Sequence, residues 1–183
     1  MSPRNCGSAR LARVQRRIVV GVTGGLLAAL LVLGTIDTLV WLPQDLAPGN
    51  SIGRISAGIA LTDDLAFAVV PAVLWLVVCG IVSTVSVLLA FPFPRALAPV
   101  ADVVGPLRAA GIGGLILGLA ACFHWWSAFA MGMSVADTQL GDGGGTSPVG
   151  KVIVLLGAVA GVAGLVLTVV AGLPRRKPGP ACS

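Results

Sequence analysis

Apolar residues dominate four long stretches of the chain, at about 18–42, 65–91, 109–135 and 149–173. A helix needs roughly 20 apolar residues to cross a bilayer. Each stretch meets that length, and the intervening segments are polar or rich in Pro and Gly. The pattern predicts an all-α, polytopic integral membrane protein built as a four-transmembrane-helix bundle. A basic N-terminal tail (1–17) and a basic C-terminal tail (174–183) flank the bundle (18–173), which forms one unit rather than separate domains.

The first stretch is too long for the 7–15-residue apolar core of a signal peptide, and no A-x-A cleavage site follows it. Arg16 and Arg17 precede it without the rest of a twin-arginine signal, so they read as a topology anchor.

Charge placement sets the expected threading. Arg4, Arg10, Arg13, Arg16 and Arg17 lie before the first span, Arg95 and Arg108 between the second and third, and Arg175, Arg176 and Lys177 after the fourth. The opposite connections hold only Arg54 and Lys151. The positive-inside rule then places both termini in the cytoplasm. Asp45, Asp63, Asp64, Asp137 and Asp142 fall on the outer side.

The connections differ in character. The first outer segment, 43–64, holds Pro43, Pro48, Gly49 and Gly53, and residues 52–61 read as a short amphipathic turn along the outer surface. The inner loop, "PFPRALAPVADVVGP", carries enough proline to block a long helix. The second outer loop, "GDGGGTSP", reads as flexible.

Composition agrees with a bilayer as solvent. The 183 residues are 56% hydrophobic and 10% charged, with mean hydropathy +0.99. A soluble domain carries about 25% charged residues. All the acids are Asp and ten of the twelve basic residues are Arg, a bias expected of a GC-rich bacterial genome and hence of an inner (cytoplasmic) membrane. The net charge of +5 sits in tails and loops as topology signals do, which argues against nucleic acid. Cys6, Cys79, Cys122 and Cys182 form no CxxC pair, and neither a metal site nor a disulfide is expected.

Small residues spaced four apart put two small side chains on one helix face and let backbones approach. Gly21 and Gly25 do so in the first span, Gly114 and Gly118 in the third, and Gly157 and Gly161 in the fourth. Packing within the chain is the plain expectation, with a homo-oligomer or membrane-partner interface as the sharper one. Pro71 is expected to kink the second span, and Ser83, Thr84 and Ser86 to bond back to their own helix. Trp75 reads as a space-filling side chain near mid-span.

Several tempting motifs fail. "GTSPVGK" (145–151) has the P-loop spacing, but Val152 stands where Ser or Thr must hold magnesium, Pro148 removes an amide and no strand precedes it. No nucleotide is expected. Asp137 and Asp142 do not fit a calcium loop, and no Glu exists to close one. Asp63 suits a helix N-cap before the second span, with a weak cation site at the outer mouth as the alternative. No histidine box, HExxH, GxSxG or lipidation motif is present.

Two residues remain. Asp37, in "GTIDTLVW", is a carboxylate inside an apolar run, and His124, in "CFHWWSAF", is the one histidine. Intramembrane ionisable groups are functional candidates by default. At 1.5 Å per residue, Asp37 lies about 28 Å along the first span and His124 about 22 Å along the third. Both estimates fall in the outer half, and the difference is within the error of the helix ends. Trp41 and Trp126 suit an interfacial aromatic belt, while the small neighbours of His124 point that side chain inward.

Asp37 and His124 are therefore the candidate functional pair. The expected role is a non-enzymatic structural or partner-binding membrane component, with no catalytic residues, metal or cofactor. A small transporter or channel subunit using the outer-side Asp37/His124 pair is the alternative, and a lipid-modifying enzyme a distant third.

Overall fold

The computed structural model describes residues 4–61, 65–90, 105–139 and 146–173. All regular structure among these residues is helical. Helix α1 spans Arg4–Ile36 and passes without a break into a π-helical turn, Asp37–Trp41, and a last short segment, α2, Leu42–Leu46. Helix α3 is Ile52–Ala60, α4 Leu65–Ala90, α5 Pro106–Gln139 and α6 Pro148–Gly172. Four of the continuous helical stretches are long and apolar enough to cross a membrane: Arg13–Leu46, Leu65–Leu88, Pro106–Thr138 and Pro148–Gly172.

The first long helix departs from the expected 18–42 at both ends. It reaches back to Arg4, because nothing in the basic tail breaks a helix, and forward to Leu46 past Pro43. Proline lacks an N–H, and its ring crowds the carbonyl four residues earlier. The chain answers by widening: the Leu42 N–H donates to the Asp37 carbonyl, a five-residue step. The extra residue re-aims the side chains of this turn, and Asp37 and Thr38 become buried.

The segment expected to lie along the outer surface is the helix α3. Ser51 caps it by accepting from the Arg54 N–H at 3.3 Å, and Ile55 and Ile59 turn inward against Leu42, Ala68 and Met131. Helix α4 runs through Pro71 as one helix and buries the stripe Ala68, Pro71, Ala72, Trp75, Cys79, Ser83. The Pro-rich loop, Asp63, Asp64, Asp142 and the tail beyond Leu173, Cys182 included, lie outside the described residues.

Helix α5 is the hub, packing against α1, α4 and α6, whereas α6 packs extensively on α5 and only slightly on α1. The α5–α6 seam is a ladder of small residues. A methyl at Gly114 would stand 2.6 Å from the Ala160 carbonyl oxygen, and one at Gly118 2.8 Å from the Gly161 Cα. Gly157 is occupied by the Ala121 methyl, and Gly164 lies against the Gly111 carbonyl. Backbone and small side chains thus meet over about three turns of α5, the route by which apolar helices associate where burial alone drives nothing.

In α1 the close approach falls on Gly24, next to Val87 and Ser86 of α4, whereas Gly25 faces open space. Ser83 spans the same seam, donating to the Gly24 carbonyl at 3.1 Å, rather than bonding back within α4. Ser86 does bond back, to the Val82 carbonyl at 2.7 Å, while Thr84 is exposed.

Candidate functional site

Asp37 and His124 meet. His124 Nε2 lies 3.2 Å from Asp37 Oδ2, and the two residues are 0% and 1% exposed. The π turn of the first helix presents the carboxylate, and α5 presents the imidazole from the face that also buries Ala120, Ala121, Ser127 and Ala128. Trp125 and Trp126 turn away and stay half-exposed, stacked on Phe129 and Phe123.

A third residue completes the cluster. The Ser147 hydroxyl donates to Asp37 Oδ1 and accepts from the Gly150 N–H at 2.9 Å. Ser147 is the N-cap of α6, with Pro148 at the first helical position. A carboxylate at a helix N-terminus is favoured by the unpaired amides and the helix dipole. Asp37 stands at the N-terminal turn of α6, joined to it through the Ser147 hydroxyl that caps the helix. Gly150 makes this approach possible, since a methyl there would stand 2.9 Å from Asp37 Oδ2.

Sequence reasoning missed Ser147, although Ser followed by Pro and an apolar run is a helix-start signal. The same residues form the failed P-loop match, and here they begin a helix whose capping serine meets a carboxylate of the chain itself.

Trp75 closes the other side of the imidazole. Its ring centroid is 5.2 Å from that of His124, and its indole N–H donates to the Ala120 carbonyl at 3.0 Å. Gly34 lets both rings close on α1: a methyl there would stand 2.6 Å from Trp75 Cη2 and 3.0 Å from His124 Nδ1. Beside the cluster, Leu27, Trp75, Cys79 and Ala120 form an apolar layer from α1, α4 and α5.

Asp37 thus has a partner on each carboxylate oxygen, His124 Nε2 on Oδ2 and the Ser147 hydroxyl on Oδ1. His124 Nδ1, Ser127 Oγ and Thr38 Oγ1 are buried and have no hydrogen-bond partner among the described residues. The arrangement differs from a nucleophilic triad, in which the histidine stands between serine and acid. Here the acid is central, and Ser147 meets the carboxylate directly with no histidine between them. Among the described residues no group of three or more His, Cys, Asp or Glu side chains is placed to hold a metal ion. Cys79 and Cys122 are free thiols, one buried and one exposed.

The architecture is thus a helical bundle with four helices of membrane-spanning length and one polar cluster tying three of them together. No protein-family model, no curated protein and no solved structure matches the chain.

Proposed function

We propose that the chain is a non-enzymatic, multi-pass membrane component that acts through contacts with a membrane partner or a second copy. In this reading both termini lie in the cytoplasm and the bundle resides in a bacterial cell membrane. The Asp37–His124–Ser147 cluster holds the bundle together. The observation that carries the reading is the seal around the cluster: Asp37, His124 and Ser147 are each at most 1% exposed, with the Leu27–Trp75–Cys79–Ala120 layer beside them. A cluster this deeply buried presents no open surface to a substrate.

Helix α6 offers the contact surface. It buries Ile153, Gly157 and Gly164 against its neighbours and leaves Leu155, Val159, Val162 and Val166 more than half exposed. Extraction of the tagged full chain in mild detergent, after crosslinking in cells, should recover a stoichiometric partner or a dimer, and Val159→Trp should reduce the yield. Recovery of a lone monomer under all crosslinking conditions would count against the proposal.

A transporter subunit is the second reading. It is favoured by the π turn at Asp37, a feature frequent at functional sites, and by the three unpartnered polar atoms around it. Proton flux in proteoliposomes that is lost in both Asp37→Asn and His124→Ala would favour this reading over the first.

A further inference from the structure

Helices α1 and α4 touch backbone to backbone at Gly24 but are parted nearer the α3 end. Two cavities of about 180 Å³ each occupy the gap. They share the lining residues Leu39, Val69 and Met131 and so adjoin, together tracing a groove from beneath Ile52 and Ile59 of α3 down to Trp75. The wall is almost wholly apolar, and small side chains, Ala68 and Ala72, make the room on α4. The groove opens sideways: its rim residues Leu39, Val69 and Val73 are 44%, 39% and 50% exposed.

We propose that this groove holds one acyl chain of a phospholipid, with the phosphate met by Arg54 of α3. The inference goes beyond the proposed function, but it rests on the same membrane residence. Size decides against a protein occupant. A helix with its side chains is about 10 Å across, and neither cavity, at about 180 Å³, has room for one turn of it. A single hydrocarbon chain is the apolar partner thin enough to enter. An unfilled slot forfeits the dispersion contacts of its walls, so a chain is favoured there over a flat helix face.

Charge supplies the second argument. Arg54 is exposed and is the one basic residue between Asp37 and Leu61. It lies on the helix whose Ile52, Ile55 and Ile59 roof the groove. A guanidinium is suited to phosphate by its planar fork of donors. Acyl chain in the groove and phosphate at its roof are the two parts of one lipid.

The test uses the full chain in vesicles containing phosphatidylglycerol with a photoreactive diazirine in one acyl chain. Labelling should concentrate on peptides holding residues 65–76 and Met131. Val73→Trp, which fills the groove from its exposed rim, should lower that labelling several-fold, while Ile81→Trp on the open face of the same helix should not. A matched diazirine diacylglycerol should label the groove several-fold more weakly, and Arg54→Gln should erase that difference. Labelling spread evenly over Val77, Ile81 and Val85 as well, or unchanged by Val73→Trp, would overturn the groove while leaving membrane residence intact. No labelling at all would overturn both. Equal labelling by the two lipids would remove the phosphate contact.

Discussion

Ser147 fastens the first turn of α6 to Asp37 of the first helix, 110 residues earlier in the chain. One hydroxyl carries both duties, capping its own helix and donating to the carboxylate. Because α6 otherwise leans almost wholly on α5, this contact is its principal tie to the rest of the bundle.

Removing the carboxylate should therefore cost more than a typical interhelical hydrogen bond. Those average about 0.6 kcal/mol between apolar helices. Breaking a buried pair by deleting one partner costs about 3 kcal/mol or more, since the other is left stranded. Asp37→Ala should lower the denaturation midpoint in detergent by an amount of that order. Asp37→Asn keeps the shape and an acceptor for Ser147, and should lose about 1 kcal/mol.

Loss of the cap should act locally. Ser147→Ala removes the acceptor for the Gly150 amide, at a typical cost of about 1 kcal/mol. Amide exchange at Gly150 and Lys151 should rise while exchange in mid-α6 stays slow. Ser147→Thr should restore protection. Uniformly faster exchange along α6 would contradict the assignment of Ser147 as a local cap.

Glycine substitutions should sort by what faces each one. Gly114→Ala and Gly157→Ala drive a methyl into backbone or into Ala121, and should separate α5 from α6 with a penalty of about 1–3 kcal/mol. At Gly161 a methyl meets only Gly118 Cα at an ordinary 3.5 Å, and at Gly25 it meets nothing. Both alanine variants should match the parent or exceed it slightly, because glycine disfavours helix by about 1 kcal/mol. Denaturation midpoints of the four variants check the order.

Gly34→Ala tests the stack on His124. The added methyl meets two rigid rings, Trp75 at 2.6 Å and His124 at 3.0 Å. The near-UV circular dichroism of the tryptophans should change, together with a loss of stability of about 1–3 kcal/mol. An unchanged aromatic spectrum would mean the rings are not held as described.

Much of this was legible in the sequence, because membrane-length apolar runs carry their own signal. The four runs became four long helices, with the second and fourth ends within a residue of expectation. The others ran longer because polar residues continue a helix as readily as apolar ones. Counting residues from the helix starts could not place the two side chains at one level, because both helices begin earlier than expected, at Arg4 and Pro106, and by different amounts.

What stayed hidden depends on pairing. The spacing of Gly114, Gly118, Gly157 and Gly161 marked a close contact without naming the partner helix. In α1 it marked Gly25, which faces open space, whereas its neighbour Gly24 makes the contact. The π turn was signalled only by Pro43. Trp75 read as filler because a hydrogen bond to a carbonyl 45 residues away leaves no local trace.

The long separations in the polar cluster also set a schedule for biosynthesis. His124 follows Asp37 by 87 residues and Ser147 by 110. At about 5–20 residues per second, the carboxylate waits on the order of 5–20 s for its last partner to emerge. Until then the first helix carries an acid without either partner, and burying an unpartnered polar group is costly. The cluster can close only after α5 and the start of α6 have both been made.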